Sequence, residues 1–308
     1  MPDAAVTASS GPRVALVTGA TGFVGSHLVL GLVRAGWQVH MVSRANSHMP
    51  EAAEFSQVTQ HAHDGSTEGM LRLVGDAKPL VVFHLASLFL SQHEAGDVER
   101  LVLSNILFGN QLLEAMKVHG VKQLINTGTS WQHYESQAYS PVNLYAATKQ
   151  AFESLLQYYV EAEGLRAITL KLFDTYGPND PRAKLMNLLK RVAEDMQPLA
   201  MSPGEQWIDL VHVDDVVQAY LTAAERLLAD VVHGHESYAV PSGQPIKLRA
   251  LVQLVEREIG RELPIQWGAR PYRVREVMAL WDGELLPGWS AQVKLEKAIQ
   301  DMFSGLKR

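Results

Sequence analysis

Tyr145 and Lys149 stand four residues apart in the run Tyr145-Ala146-Ala147-Thr148-Lys149. On a helix that spacing puts both side chains on one face, so a phenol and an ammonium can reach into the same site. A tyrosine with its ordinary pKa of about 10 is a poor proton donor, but a neighbouring cation favours the phenolate and moves the pKa toward neutrality. Such a pair suits the reduction of a ketone, whose oxygen needs a proton as hydride reaches the carbon. A chance pair on a surface helix is the plain alternative. Against it stands the polar run Asn126-Thr127-Gly128-Thr129-Ser130, which follows an apolar stretch and offers a hydroxyl to the same oxygen.

Hydride chemistry needs a carrier, and the N-terminal sequence supplies a place for one. An apolar run at 14–17 enters Thr18-Gly19-Ala20-Thr21-Gly22-Phe23-Val24-Gly25, and a helical pattern follows to residue 35. Glycines at a strand-to-helix turn permit a tight bend and close backbone approach, so that amides at the helix start can face a pyrophosphate. The spacing is Gly-x-x-Gly-x-x-Gly, unlike the Gly-x-Gly-x-x-Gly of the general dinucleotide fingerprint; its position between strand and helix carries the reading. The second strand ends on Ser43-Arg44. An acidic residue there would bind a free ribose 2′-hydroxyl, whereas arginine accommodates a 2′-phosphate, so NADP(H) is favoured over NAD(H).

These groups need a scaffold, and the rest of the chain reads as one. Apolar runs at 14–17, 39–42, 80–85, 123–126 and 167–172 alternate with amphipathic stretches at 23–35, 98–118 and 145–161, the pattern of βαβ units and a parallel sheet covered on both faces. The predicted fold class is α/β, a Rossmann-type doubly wound parallel sheet with a smaller C-terminal region. After the turn cluster Gly177-Pro178-Asn179-Asp180-Pro181 the texture changes to helical stretches and Gly/Pro loops without an evident sheet. The expected division is a dinucleotide-binding domain at 12–177 plus 205–240, a substrate-binding region at 178–204 plus 241–308, and a flexible segment at 1–11. With 308 residues, 47% hydrophobic, a formal charge of −6 and no cysteine, the composition excludes a disordered tail protein, disulfide scaffolds and thiolate chemistry. There is no block of basic residues to suggest nucleic acid or an anionic membrane, no apolar run long enough to span one, and no basic start with an apolar core at residues 1–11; a cytoplasmic protein is expected.

Together the motifs at 18–25, Thr129, Tyr145 with Lys149, and Leu172-Phe173-Asp174-Thr175-Tyr176-Gly177-Pro178 resemble the extended short-chain dehydrogenase/reductase family, the NAD-dependent epimerases and dehydratases that act mainly on nucleotide sugars. Phe83-His84-Leu85-Ala86, Asn105 with Gly109, and His212-Val213-Asp214-Asp215-Val216 extend the resemblance from about Val14 to Trp289. The stretches at 126–134 and 141–145 are similar to the CDP-abequose and CDP-paratose synthase branch, whose members reduce a 4-keto-6-deoxyhexose at C4. The resemblance implies that Tyr145 is the catalytic acid/base, that Lys149 binds the nicotinamide ribose and tunes Tyr145, and that Thr129 binds the reacting oxygen. It places the cofactor on Gly19, Thr21, Gly22, Phe23, Val24, Gly25, Ser43, Arg44, Asp64 (adenine edge), Leu85, Ala86 and Lys149. The substrate falls to Thr129, Ser130, Asp174 and Arg270, the last in a cluster with Arg273 and Arg275. Two positions depart from the family: Asp174 replaces an asparagine of many epimerases, and Ser130-Trp131 replaces the Asp-Glu pair of 4,6-dehydratases, which disfavours water elimination.

Other clusters carry plainer readings. His61 and His63, on one strand face in the run His61-Ala62-His63-Asp64, lack a convincingly spaced third metal ligand, so no metal is expected. Asp214 is read as a helix cap beside the strand-end His212, and Trp281 and Trp289 as packing groups. A homodimer is expected through the helices at 98–118 and 145–161, with Leu103, Leu107, Phe152, Leu155, Leu156 and Tyr159 as candidate contacts. The leading expectation is NADPH-dependent reduction of a nucleotide-activated 4-keto-6-deoxy sugar at C4. A nucleotide-sugar epimerase with retained NAD(P) is the nearest rival, and a noncatalytic NADP-binding regulator a more distant one.

Overall fold

The computed structural model describes residues 11–44 and 52–306. The segment 1–11 expected to be flexible lies, but for Gly11, outside the described residues. In chain order the first half runs β1 (Val14–Thr18), α1 (Phe23–Arg34), β2 (Gln38–Arg44), β3 (Thr59–His63), α2 (Thr67–Ala77), β4 (Val81–His84), α3 (Val98–Val102), α4 (Phe108–Val118), β5 (Gln123–Thr129), α5 (Leu144–Glu163) and β6 (Arg166–Leu172). The second half adds β7 (Asp174–Tyr176), α6 (Leu185–Asp195), β8 (Leu199–Met201), β9 (Trp207–Ile208), β10 (Leu210–His212), α7 (Val213–Leu228), β11 (His235–Val240), β12 (Ile246–Lys247), α8 (Leu248–Ile259), β13 (Ile265–Trp267) and α9 (Leu295–Phe303).

Seven strands form one parallel sheet in the order β11-β6-β5-β4-β1-β2-β3. The order reverses between β1 and β4, and a crevice beyond the carboxyl ends of the strands at such a point is where open α/β sheets bind ligands. Both faces are covered, which is why β1 and β4 are apolar nearly throughout instead of alternating. One core holds α1 and α7 against the sheet through Leu28, Leu32, Val216, Tyr220 and Ala224. On the other face Met70, Leu112, Met116, Phe152 and Leu156 bring in α2, α4 and α5. A third core gathers α6, α8 and α9 around Leu189, Leu251, Val255, Ile299 and Phe303.

Several expectations shift in detail. The stretch 98–118 is not one regular helix: a π-helical turn, Leu103–Leu107, separates α3 from α4 and turns the buried Asn105 toward β4's loop. The second half has two-stranded pairings of its own, β10-β7, β12-β9 and β13-β8, where no sheet was anticipated, because each strand is only two or three residues long. His212, not Asp214, caps α7: its ring nitrogen accepts the Asp214 N–H at 3.2 Å. Of the candidate dimer contacts, Phe152, Leu156 and Tyr159 belong to the core beneath the sheet, whereas Leu103, Leu107 and Leu155 are exposed beside Val98, Val102 and Tyr158. Among the described residues no helix is long and apolar enough to cross a membrane.

Candidate functional site

The glycine-rich turn is shaped by what cannot fit there. Gly19 has φ +70°, and a Cβ on it would lie 2.6 Å from the Ala86 nitrogen; a Cβ on Gly25 would lie 2.1 Å from the Gly19 carbonyl oxygen. The Gly22 N–H closes the turn on that same oxygen at 3.0 Å. Gly22 then starts α1 with no side-chain cap and no acidic residue in the first turn, so the amides that follow at Phe23 and Val24 present an uncompensated positive end. Leu85 and Ala86 close the cradle from β4, donating to the Thr18 carbonyl and hydroxyl at 3.2 Å each. Thr21 lies in the turn itself. A backbone cradle that any Cβ would fill, ending on free helix amides, fits the pyrophosphate of a dinucleotide.

At the end of β2, Ser43 is buried and its hydroxyl accepts from Gln60 at 2.8 Å, while Arg44 is exposed. Asp64 is committed locally. It accepts from the Ser66 hydroxyl and N–H at 2.7 and 2.9 Å and pairs with Arg72 at 3.2 Å, and the Ser66 bonds hold its carboxyl below the usual range. His61 is bonded to His40 at 2.8 Å, while His63 packs on Phe108 and lies 3.9 Å from Asp64, so the two histidines are drawn to different partners. Among the described residues no group of three or more candidate ligands could hold a metal ion.

Asn143 caps α5, accepting the Ala146 N–H at 2.9 Å, and its amide donates to the Leu90 and Ser91 carbonyls. Asn105 holds the same loop through the Ser87 hydroxyl and both backbone groups of Leu88, and donates to Thr148 on α5. The two asparagines thus fix the loop that carries Phe89, whose ring meets Tyr145 edge-on at 5.0 Å. Burial pushes the Tyr145 phenol up to about 12, opposed by a hydrogen bond with Ser87 and the charge of Arg182. Lys149, one turn along and 2% exposed, is pulled down to about 8 by burial, opposed by Glu153; it remains largely cationic at neutral pH. Thr129 ends β5, and its hydroxyl accepts the Trp131 N–H at 3.3 Å, leaving its own proton to donate.

A cavity of about 310 Å³ opens beside this cluster. Its lining includes the expected Ser130 and Asp174, with Asp174 paired to Lys184 at 3.6 Å. Arg270 is exposed and does not line it, whereas Arg273 and Arg275 do; Arg273 lies over the Trp131 ring at 5.4 Å and Arg275 over Tyr134 at 4.3 Å. Sequence reasoning missed Phe89, His133 and Lys184. Lys184 sits 3.8 Å over the Phe89 ring, and His133 stacks on Trp281 at 4.0 Å. Trp281 and Trp289 both pack on the first core as expected; Trp281 is in addition a cavity wall, and Trp289 donates to the Asp215 carbonyl. No spacing rule connects residues 89, 133, 184 and 281, because only the tertiary fold brings them together.

An α/β sheet with its cradle at the switch point and a Tyr-Lys pair on the adjoining helix defines an enzyme of the short-chain dehydrogenase/reductase type. The chain belongs to the NAD dependent epimerase/dehydratase family, whose sequence profile matches residues 15–236. It is 26% identical over 294 residues to CDP-abequose synthase of Salmonella muenchen, covering 94% of this chain and 96% of that protein. Among solved structures it is similar to UDP-glucose 4-epimerase of Thermotoga maritima with UDP-glucose, at TM-score 0.81, 25% identity and coverage of 94% and 98%. UDP-glucose 4-epimerase of Thermus thermophilus in complex with NAD superposes at TM-score 0.78 with 25% identity, covering 94% of this chain and 99% of that one.

Proposed function

We propose that this enzyme uses NADPH to reduce a nucleotide-activated 4-keto-6-deoxy sugar at C4. The observation that carries the reading is the position of Tyr145, on a buried helix face with Lys149 and, through Phe89, against the wall of the 310 Å³ cavity. The similarity to CDP-abequose synthase supports the sugar class.

The glycine cradle would hold the pyrophosphate, with Ser43 and Arg44 at the phosphorylated ribose, Asp64 at the adenine edge and Lys149 at the nicotinamide ribose. When bound, the reduced nicotinamide supplies the hydride equivalent. Thr129 donates its free hydroxyl proton to the carbonyl oxygen and Tyr145 gives up the phenolic proton to it, so two donors stabilise charge as it develops. Lys149, on the same face of α5, and Arg182, whose charge opposes the upward shift of the phenol, lower the cost of the phenolate left behind. Phe89 and Trp131 line the cavity beside Tyr145, with their rings capped by Lys184 and Arg273. Arg273 and Arg275 present guanidinium groups to a diphosphate, with Asp174 and Ser130 left for sugar hydroxyls.

We place the substrate region at 178–204 and 241–308, built on the third core, and the dinucleotide domain at 12–177 and 205–240. The exposed row Val98, Val102, Leu103, Leu107, Leu155 and Tyr158 supports a homodimer, which light scattering at micromolar concentration would test: a monomer mass overturns it. The epimerase reading, supported by the similarity to UDP-glucose 4-epimerases, is separated by stoichiometry. Purified protein with NADPH and a panel of 4-keto nucleotide sugars should oxidise one NADPH for each sugar reduced. Isomerisation without net oxidation would overturn the reductase reading.

A further inference from the structure

Behind the Thr129 turn lies a buried polar network that proton donation alone does not account for. Gln132 has no exposed surface; its Oε1 accepts the Thr129 N–H at 3.0 Å and its Nε2 donates to Gln150 and to Glu153 at 2.8 Å each. The second Glu153 oxygen faces Lys171 Nζ at 3.5 Å, and Lys171 in turn donates to His133 Nε2 at 2.7 Å. His133 therefore carries its proton on Nδ1, which donates to the Gln137 carbonyl at 3.0 Å; burial and the Lys171 charge hold the ring neutral. Gly128, opposite Lys171 in the β5–β6 register, leaves the room: a Cβ there would come within 2.9 Å of Lys171 and 3.0 Å of Gln132.

Glu153 also lies one helical turn beyond Lys149, on the same face of α5. One carboxylate is thus flanked by two buried ammonium groups, Lys149 at 2% and Lys171 at 5% exposure. An ammonium withdrawn from water stays charged only where a counter-ion offsets the lost hydration. The other titratable groups that face this cluster cannot supply one. His84 from β4 is bonded to Thr18 and His235 from β11 to Thr169, and burial keeps both rings below their ordinary pKa.

We propose that Glu153 is the shared counter-ion of Lys149 and Lys171 and, through Gln132, the positioning residue of the Thr129 turn. A single carboxylate thereby sets both the charge offered to the dinucleotide ribose and the place of the hydroxyl offered to the substrate. The proposal rests on the assignment of Lys149 to the cofactor and deepens it.

The test is NADPH binding, followed by fluorescence titration from neutral to alkaline pH, together with turnover of a 4-keto nucleotide sugar for the Thr129 turn. In the parent protein affinity falls as pH rises through about 8, where Lys149 loses its proton. Glu153→Gln moves that midpoint down by about one unit or more, the scale of losing a nearby opposite charge. Because that variant strands Lys171 and can unfold, E153Q/K171M removes both charges and must show a displacement in the same direction, smaller by the repulsion Lys171 no longer exerts, with a cooperative thermal transition. Gln132→Met leaves the midpoint in place and lowers kcat with little change in NADPH affinity. An unmoved midpoint in the folded double variant overturns the proposal. A parent whose affinity is flat across the range, like Lys149→Met, overturns instead the assignment of Lys149 on which the proposal rests.

Discussion

The cradle at the first strand-to-helix turn and the cavity beside Tyr145 are built from different materials. The cradle is backbone: Gly19, Gly22 and Gly25 matter for the atoms they lack, and the functional groups are amides at the start of α1. The cavity is side chain: rings from residues 89, 131, 133, 134 and 281 stacked on one another or capped by Lys184, Arg273 and Arg275, drawn from separate segments of the chain. A site made of omitted Cβ atoms tolerates almost no substitution, while a site made of packed rings and cations can change one wall at a time. Tyr145 and Lys149 belong to neither side, since they join the two.

The largest expected effect therefore falls on the junction. Tyr145→Phe keeps the ring that packs on Phe89 and removes only the proton, so kcat should drop by about 100- to 10,000-fold while NADPH affinity, read by fluorescence, stays within a factor of about two. Loss of both together would place Tyr145 in the cradle instead of at the junction. Next comes the cradle itself. Gly25→Ala forces a methyl group against the Gly19 carbonyl, and overpacking of about 1–3 kcal/mol should weaken NADPH binding by roughly tenfold or more and lower the melting temperature. Unchanged binding would show that the turn is not the pyrophosphate site.

These two regions differed just as sharply in how far they could be read from sequence. The strand-turn-helix at 14–35, the α5 face with Tyr145 and Lys149, and the parallel sheet all rest on local spacing, and local spacing is what a sequence displays. Asn105 shows the limit: its place in the motif was visible, but the π-helical turn that aims it at the loop of Phe89 was not. His133 and Trp281 meet 148 positions apart only because the irregular segment beyond β13 returns across the Thr129 turn. The Arg270, Arg273 and Arg275 cluster marked the right neighbourhood, and only the path of that segment decides which arginines face the cavity.

Smaller effects should stay on their own side of the molecule. Arg273→Ala should raise KM for the nucleotide sugar by about tenfold, the worth of one charged contact, without moving the NADPH dissociation constant. A change in NADPH binding would mean that the two regions are coupled. Arg44→Ala should weaken NADPH by up to about tenfold and leave NADH nearly unaffected, since only the 2′-phosphate loses its partner. Equal affinities for the two dinucleotides in the parent protein would remove the basis for the NADPH preference.

In the proposed reaction hydride passes from the nicotinamide to C4 of a sugar held in the cavity. That transfer is tested most directly by running the reaction with NADPH carrying deuterium at both C4 positions of the nicotinamide and locating the label in the sugar by NMR. The account predicts deuterium at C4 of the product, with one NADPH consumed for each label transferred. Turnover of the nucleotide sugar with no deuterium at C4, or with the sugar isomerised and the NADPH intact, would contradict it.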